Sequence, residues 1–303
     1  MLRSCVVLLA AGIVVACGGA SVPEATPTST PTPTPSPVPP TATATATATP
    51  TPAPTATPGL LAGLVTRPLA DLSAEAAAYF AGRPGILGLA VVVPSAGVIY
   101  SANGGRLIST ASIVKVPIML TVMDAAIRDG RGLTLRELAL LGRMITVSDN
   151  DATLTLWEEL GGGEAVDAYM RALGLPDFVP GPGERWRPSR LSANEAALLL
   201  AKLAEGELLD EESRTLALDL MTNIIQWQRW GVNAGVPSGA VVALKNGWGN
   251  TATDWFASSA GIVFPANGGA AYTIAVFTEE QSEMEEGVET IETVAALIHA
   301  ALR

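Results

Sequence analysis

Cysteine and histidine are almost missing from this 303-residue chain. Both cysteines, Cys5 and Cys17, fall near the start, and the one histidine, His299, lies near the end. A disulfide framework and a cysteine metal site are thereby excluded from the body of the chain. A catalytic zinc centre normally needs several His or Cys ligands, and these are missing. A Ser-His-Asp triad needs an imidazole beside its nucleophile, and His299 sits on an apolar terminal segment, where it reads as a structural residue. Positive charge is also scarce: 18 Lys and Arg against 29 Asp and Glu give a net charge of −11. No basic cluster is present, which argues against nucleic acid and against electrostatic binding to anionic lipid. There is no glycine-rich phosphate loop and no internal repeat. No cofactor or metal is expected, and any acid–base chemistry must run on lysine or a carboxylate.

The ends differ from the middle. The first residues, MLRSCVVLLAAGIVVACGG, carry one basic residue, Arg3, and then an apolar run from Cys5 to Cys17. That run is short for a membrane-spanning helix and reads as an export signal. Its end, Val14-Val15-Ala16-Cys17-Gly18-Gly19, resembles a bacterial lipobox, which implies lipidation of Cys17. Residues 22 to 58 are nearly all Pro, Thr, Ala and Ser. Such a tract cannot bury enough apolar surface to order itself. In polyproline II it would reach on the order of 100 Å, which suits a stalk. The expected layout is a signal and lipobox at 1–17, a linker at 18–58 and a globular domain at 60–303. That domain is expected to be exported, held at the outer face of a bacterial membrane and monomeric.

Within the domain, Ser73 caps an Ala-rich helix, and 86–93 and 97–101 read as a β-hairpin around Pro94 to Gly97. Helices follow at 112–126, 134–146, 151–160, 164–173, 192–205 and 211–224. Glycines at 161–163 and 174 act as stops, and Ser192 with Glu195 reads as a capping box. Strands return at 240–245, 255–264 and 271–278, before an amphipathic helix at 286–302. The expected fold is α/β of the α+β kind: an antiparallel sheet flanked by N- and C-terminal helices, plus an all-helical lobe.

Three short elements carry chemistry. Ser112 and Lys115 are three apart at a helix start, so they share a face about one turn apart. A helix N-terminus favours nearby negative charge, and a desolvated lysine can become a neutral base. Ser148-Asp149-Asn150 follows the segment LTLRELALLGRMITV. Lys245-Asn246-Gly247 closes the strand AVVALK. Alone, Ser-x-x-Lys is a weak signal. The order SxxK, SDN, KxG, each in its structural setting, is the signature of penicillin-recognising serine enzymes.

Over about 60–303 the chain resembles class A β-lactamases. The resemblance implies a β-lactamase/transpeptidase-like fold and the following roles. Ser112 attacks a carbonyl and forms an acyl-enzyme; Lys115 takes or relays its proton; Ser148 passes a proton to the leaving nitrogen. Asn150 binds a side-chain amide of the substrate, and Lys245 supplies positive charge. The backbone N–H groups of Ser112 and Trp248 form an oxyanion hole, and Gly247 and Trp248 are substrate-binding residues. The substrate is expected to be a β-lactam, or a related amide or ester.

The chain also departs from that pattern. Asn246 stands where the family has Thr or Ser, and is expected to donate to a substrate carboxylate through its amide. The interval from Ser112 to Ser148 is short, so the cleft is expected to be more open. The deacylating carboxylate of the family falls on Glu184 by ungapped counting from Asn150, but Pro188, not Asn, stands four residues on. Matching Arg185-Trp186-Arg187-Pro188 to an Arg-x-Glu-Pro pattern puts Arg187 there instead. Trp227, Trp230, Trp248 and Trp255 gather near the third motif, as an aromatic wall or as core. Besides a β-lactamase-like hydrolase, two readings stay open: a D,D-peptidase acting on peptidoglycan peptides, and a non-catalytic domain that binds cell-wall fragments.

Overall fold

A computed structural model describes residues 63–183 and 185–303. The export signal, Cys17, the Pro/Thr/Ala tract and Glu184 lie outside the described residues. Eight strands and eight α-helices are described, with short 3-10 turns between them: β1 (Val65–Pro68), α1 (Ala74–Ala81), β2 (Ile86–Val93), β3 (Val98–Ala102), β4 (Leu107–Ser109), α2 (Lys115–Arg128), α3 (Leu135–Thr146), α4 (Asn150–Glu159), α5 (Gly163–Ala172), β5 (Arg190–Ser192), α6 (Ala193–Ala204), α7 (Glu211–Thr222), β6 (Val241–Asn250), β7 (Trp255–Phe264), β8 (Tyr272–Gln281) and α8 (Met284–Ala301).

Six strands form one sheet in the order β1-β3-β2-β8-β7-β6. Every pairing is antiparallel except β1 with β3. Strands β2 and β8 are apolar and buried over most of their length. Such runs need cover on both faces, and they have it: α6 packs on β2 and β8, while α8 packs on β7 and β8 with α1 beside it. The second lobe is built around α2, ten of whose fourteen residues are buried. A helix that is apolar all round must sit at the centre of its lobe, and α3, α4, α5 and α7 pack against α2. The observed fold is the expected one: an antiparallel sheet, helices on its faces and an all-helical lobe.

Several local expectations change. The strand expected at 240–245 runs on to Asn250, paired with β7 from Val241–Phe264 to Asn250–Trp255. Glycines weaken a strand, but ten-residue pairing overrides that preference. The helix expected from Ser112 begins as a 3-10 turn, Ala111–Val114, and turns α-helical at Lys115. The capping box at Ser192 is half made. Ser192 accepts the Glu195 N–H at 3.2 Å, but the Glu195 carboxylate turns away to accept the Asp177 N–H at 2.9 Å. A full box does form at Thr134 and Glu137, which the sequence reading does not pick out. Nor does that reading find β1, or the small β4–β5 sheet that ties residues 107–109 to the loop before α6.

Candidate active site

The site forms where the two lobes meet, and each lobe supplies one lysine. Residues of the SDN segment divide the work. Asp149 is the N-cap of α4, its carboxylate accepting the N–H groups of Asp151 and Ala152 at 2.9 Å each. Asn150 opens the helix. Ser148 lies just before it with φ of +58°, a strained value for a residue with a side chain. Ala111, directly before Ser112, is also left-handed at +43°, and Glu280 at +57°. All three line one cleft. Strain of this kind persists only where the surrounding structure imposes it, and it gathers at functional sites.

Ser148 joins the two lysines. Its Oγ lies 3.0 Å from Lys115 Nζ and 3.1 Å from Lys245 Nζ. Lys115 also donates to the Ser148 carbonyl at 2.6 Å and to Asn150 Oδ1 at 3.0 Å. Lys245 donates to the Asn246 carbonyl at 2.9 Å. Both lysines are fully buried, and neither has an ion pair among the described residues. Two ammonium groups sharing one hydroxyl without a counterion repel each other and lack water, so the pair sheds charge. Burial, then the Arg187 charge, lower Lys115 to about 7, with Asp149 acting the other way. Burial, with Lys115 beside it, drives Lys245 well below the ordinary lysine value.

Ser112 lines the cleft, half-buried, and its hydroxyl makes no hydrogen bond among the described residues, to Lys115 or otherwise. Gly247 explains how close β6 comes to it. A Cβ at 247 would lie 2.6 Å from Ser112 N, 2.8 Å from Ala111 Cβ and 2.8 Å from the Thr110 carbonyl. Only glycine fits there. As the edge strand of the sheet, β6 lays its unpaired side along the 3-10 turn. The N–H groups of a first helical turn have no partner in their own helix.

The cleft itself has a volume of about 900 Å³. Of the residues given catalytic or binding roles from the sequence, Ser112, Ser148, Asn150 and Trp248 line it. Lys115 and Lys245 sit behind Ser148. Asn246 corrects the expectation that it meets substrate: its side chain is fully buried, and Nδ2 donates to the carbonyls of Gln228 and Trp230 at 2.7 and 2.8 Å. It ties β6 to the turn at Gln226–Gln228 and has no donor left for the cleft. His299 is buried on α8, bonded to the Tyr272 hydroxyl and the Val232 carbonyl at 2.8 Å each, and does not line the cleft. Trp227 and Trp230 meet the ring of Trp248 edge-on, while Trp255 lines the cleft separately.

One neighbour of the lysines is missed by sequence reasoning. The indole of Trp186, only 6% exposed, has Lys115 Nζ 5.0 Å from its ring centroid and the Arg187 guanidinium at 5.5 Å. The loop holding it is closed by Gly181 N donating to Ser189 Oγ at 3.2 Å, and by Thr110 bonding the Ser189 carbonyl. A tryptophan between two arginines, in a chain only 5% aromatic, is the signal that could have singled it out.

The fold is that of the penicillin-recognising serine enzymes, and two buried lysines share the Ser148 hydroxyl beside a cleft that Ser112 also lines. More particularly, the chain belongs to the beta-lactamase enzyme family, whose model matches residues 125–302. Beta-lactamase OXY-2 of Klebsiella oxytoca is 28% identical over 184 residues, 56% of this chain and 60% of that one. The putative lipoprotein LppW of Mycobacterium tuberculosis is 27% identical over 192 residues, 59% of each. The chain thus spans about 60% of the length of these relatives. The crystal structure of the extended-spectrum beta-lactamase TLA-1 superposes with a TM-score of 0.70 at 19% identity, over 77% of this chain and 99% of that one. Among the described residues, no helix is long and apolar enough to cross a membrane.

Proposed function

We propose that this protein hydrolyses β-lactams, or a related amide or ester, through an acyl-enzyme on Ser112. The observation that carries the reading is the Lys115–Ser148–Lys245 cluster. Lys115, near 7, is substantially neutral at neutral pH and can take the Ser112 proton as Oγ attacks the carbonyl. The N–H groups of Ser112 and Trp248 hold the oxygen that becomes negative. As the tetrahedral adduct collapses, Ser148 protonates the leaving nitrogen and is resupplied from the lysine on its other side, which its two contacts near 3 Å allow. The exposed amide of Asn150 meets the substrate's own amide. With Asn246 turned inward, Arg185 and Arg187 are exposed cations on the loop side of the cleft and face a substrate carboxylate. Water then releases the acyl group, with Glu184 as its base.

The test is labelling by a fluorescent penicillin. Wild type takes the label covalently and Ser112→Ala does not; no labelling of wild type by any β-lactam or fluorophosphonate refutes the reading.

One observation favours the D,D-peptidase alternative. The indole of Trp186 lies over Lys115, its ring centroid 5.0 Å from Nζ. Nitrocefin separates the two: repeated turnover supports the β-lactamase, and a single stoichiometric burst supports the peptidase acting on peptidoglycan peptides.

For its location, the proposal is a monomeric domain on a stalk of residues 18–58, anchored at the outer face of a membrane through a lipid on Cys17. The lipobox-like sequence and the likeness to a putative lipoprotein support this. Cys17→Ala should move the protein from the membrane fraction to the soluble exported fraction.

A further inference from the structure

Beside the catalytic cleft lies a second cavity of about 540 Å³. One wall is aromatic: Trp227, Trp230 and Trp248. The other is the first turns of α8, with Glu285, Val288 and Glu289. Trp227 and Trp248 line both cavities, so the two spaces share a wall.

Its lining is unusual in two ways. Trp227 is 62% exposed, a large apolar surface left in water by a residue type that is mostly buried. Its ring meets Trp248 at 5.8 Å and 78°, and Trp230 meets Trp248 at 5.9 Å and 63°. Opposite them, Glu285 and Glu289 carry no ion pair or hydrogen bond among the described residues. Glu292, on the same side, is otherwise committed and accepts the Gly231 N–H at 3.1 Å.

Indole faces attract cations through the ring quadrupole, and two unpaired carboxylates add charge of the same preference. An anion would be repelled here, whereas a cation on an apolar stem meets both the indole faces and the two exposed carboxylates. The net charge of −11 adds a field that draws cations to the surface.

We infer that this cavity is a subsite for an organic cation, an alkylammonium or guanidinium group on an apolar stem, carried by the substrate around the Trp227–Trp248 wall. The substrate assignment rests on acylation at Ser112; the cation site does not.

Two measurements test it. In the first, the exported domain is labelled with 15N in its indoles and titrated with choline and with the neutral isostere 3,3-dimethylbutan-1-ol. Choline should shift the Trp227, Trp230 and Trp248 signals, identified by single Trp→Phe variants, and the alcohol should not. Glu285→Gln with Glu289→Gln should weaken choline roughly ten-fold, while fluorescent-penicillin labelling of Ser112 stays at the wild-type rate. Equal shifts from both compounds, undiminished choline binding in the double variant, or no shift at all would overturn the cation site. In the second, two acyl thioesters are compared whose acyl arms end in a lysine or a norleucine side chain. Wild type should acylate roughly ten-fold faster with the lysine arm, and the double variant should treat both alike. Equal rates in wild type would overturn the substrate assignment. If choline binds but penicillin never labels Ser112, the hydrolase reading fails and the cation site stands. If Ser112 is labelled and choline leaves the indoles unmoved, the reverse holds.

Discussion

A single methyl group at position 247 probes how closely β6 must approach the turn that carries Ser112. In Gly247→Ala the new Cβ would lie 2.6 Å from Ser112 N and 2.8 Å from both the Thr110 carbonyl and Ala111 Cβ. Two of these atoms are backbone, and Ala111 already holds a left-handed φ of +43°, so no flexible side chain can give way. The strand and the turn must part by most of an ångström. Overpacking of this kind costs about 1–3 kcal/mol, which for a domain of this size lowers Tm by roughly 2–12 °C. The larger effect falls on chemistry. In the proposed mechanism the N–H groups of Ser112 and Trp248 hold one developing charge between them, and misplacing one by about 1 Å costs on the order of 100-fold. The assay is the rate of Ser112 labelling by a fluorescent penicillin, followed beside thermal unfolding. Gly142→Ala is the control: it lies inside α3 with open space where its Cβ would be, and should raise stability by up to about 1 kcal/mol at an unchanged labelling rate. A Gly247→Ala protein that labels like wild type would refute the proposed approach of β6 to the nucleophile.

Labelling should also depend on pH. Burial holds Lys115 down at about 7, so the rate should climb through that region and level off above it, as the neutral amine accumulates. Trp186→Ala admits water and Arg187→Gln removes a repelling charge; each should move the midpoint upward, measured as rate against pH, and an unmoved midpoint in both would contradict the assignment. Glu195 offers a test of stability. Burial raises it to about 7, with Oε2 unpartnered. A carboxyl raised in the folded state favours folding fully below its unfolded value and loses that contribution as pH rises through 7, worth on the order of 3 kcal/mol. Glu195→Gln should therefore raise Tm at pH 8 relative to wild type and show little gain at pH 4, read from thermal melts at the two pH values.

The local placement of the candidate residues was legible in the sequence. Ser112 and Lys115 are one turn apart, and Asp149 and Asn150 cap and open a helix, so spacing alone sets each pair. Glycine 247 could be matched to a motif, but its reason is a contact with residue 112, which only the folded sheet supplies. Asn246 misled for a related reason. On an edge strand, which side a residue faces depends on register, and the register of β6 extends five residues past the end expected from composition. The four-residue β1 and three-residue β4 and β5 lack a periodic run long enough to read. Trp186 went unseen because its partner, Lys115, is distant in sequence and meets it only when the loop before α6 closes.

The central claim, that Ser112 becomes acylated, is tested most directly by intact-mass spectrometry over time after mixing with benzylpenicillin, with peptide mapping of the adduct. The account predicts a gain of one penicilloyl group on the peptide containing Ser112, absent in Ser112→Ala, and slower to form as pH falls below 7. An unmodified mass at every time and pH, with benzylpenicillin left intact in solution, would contradict it.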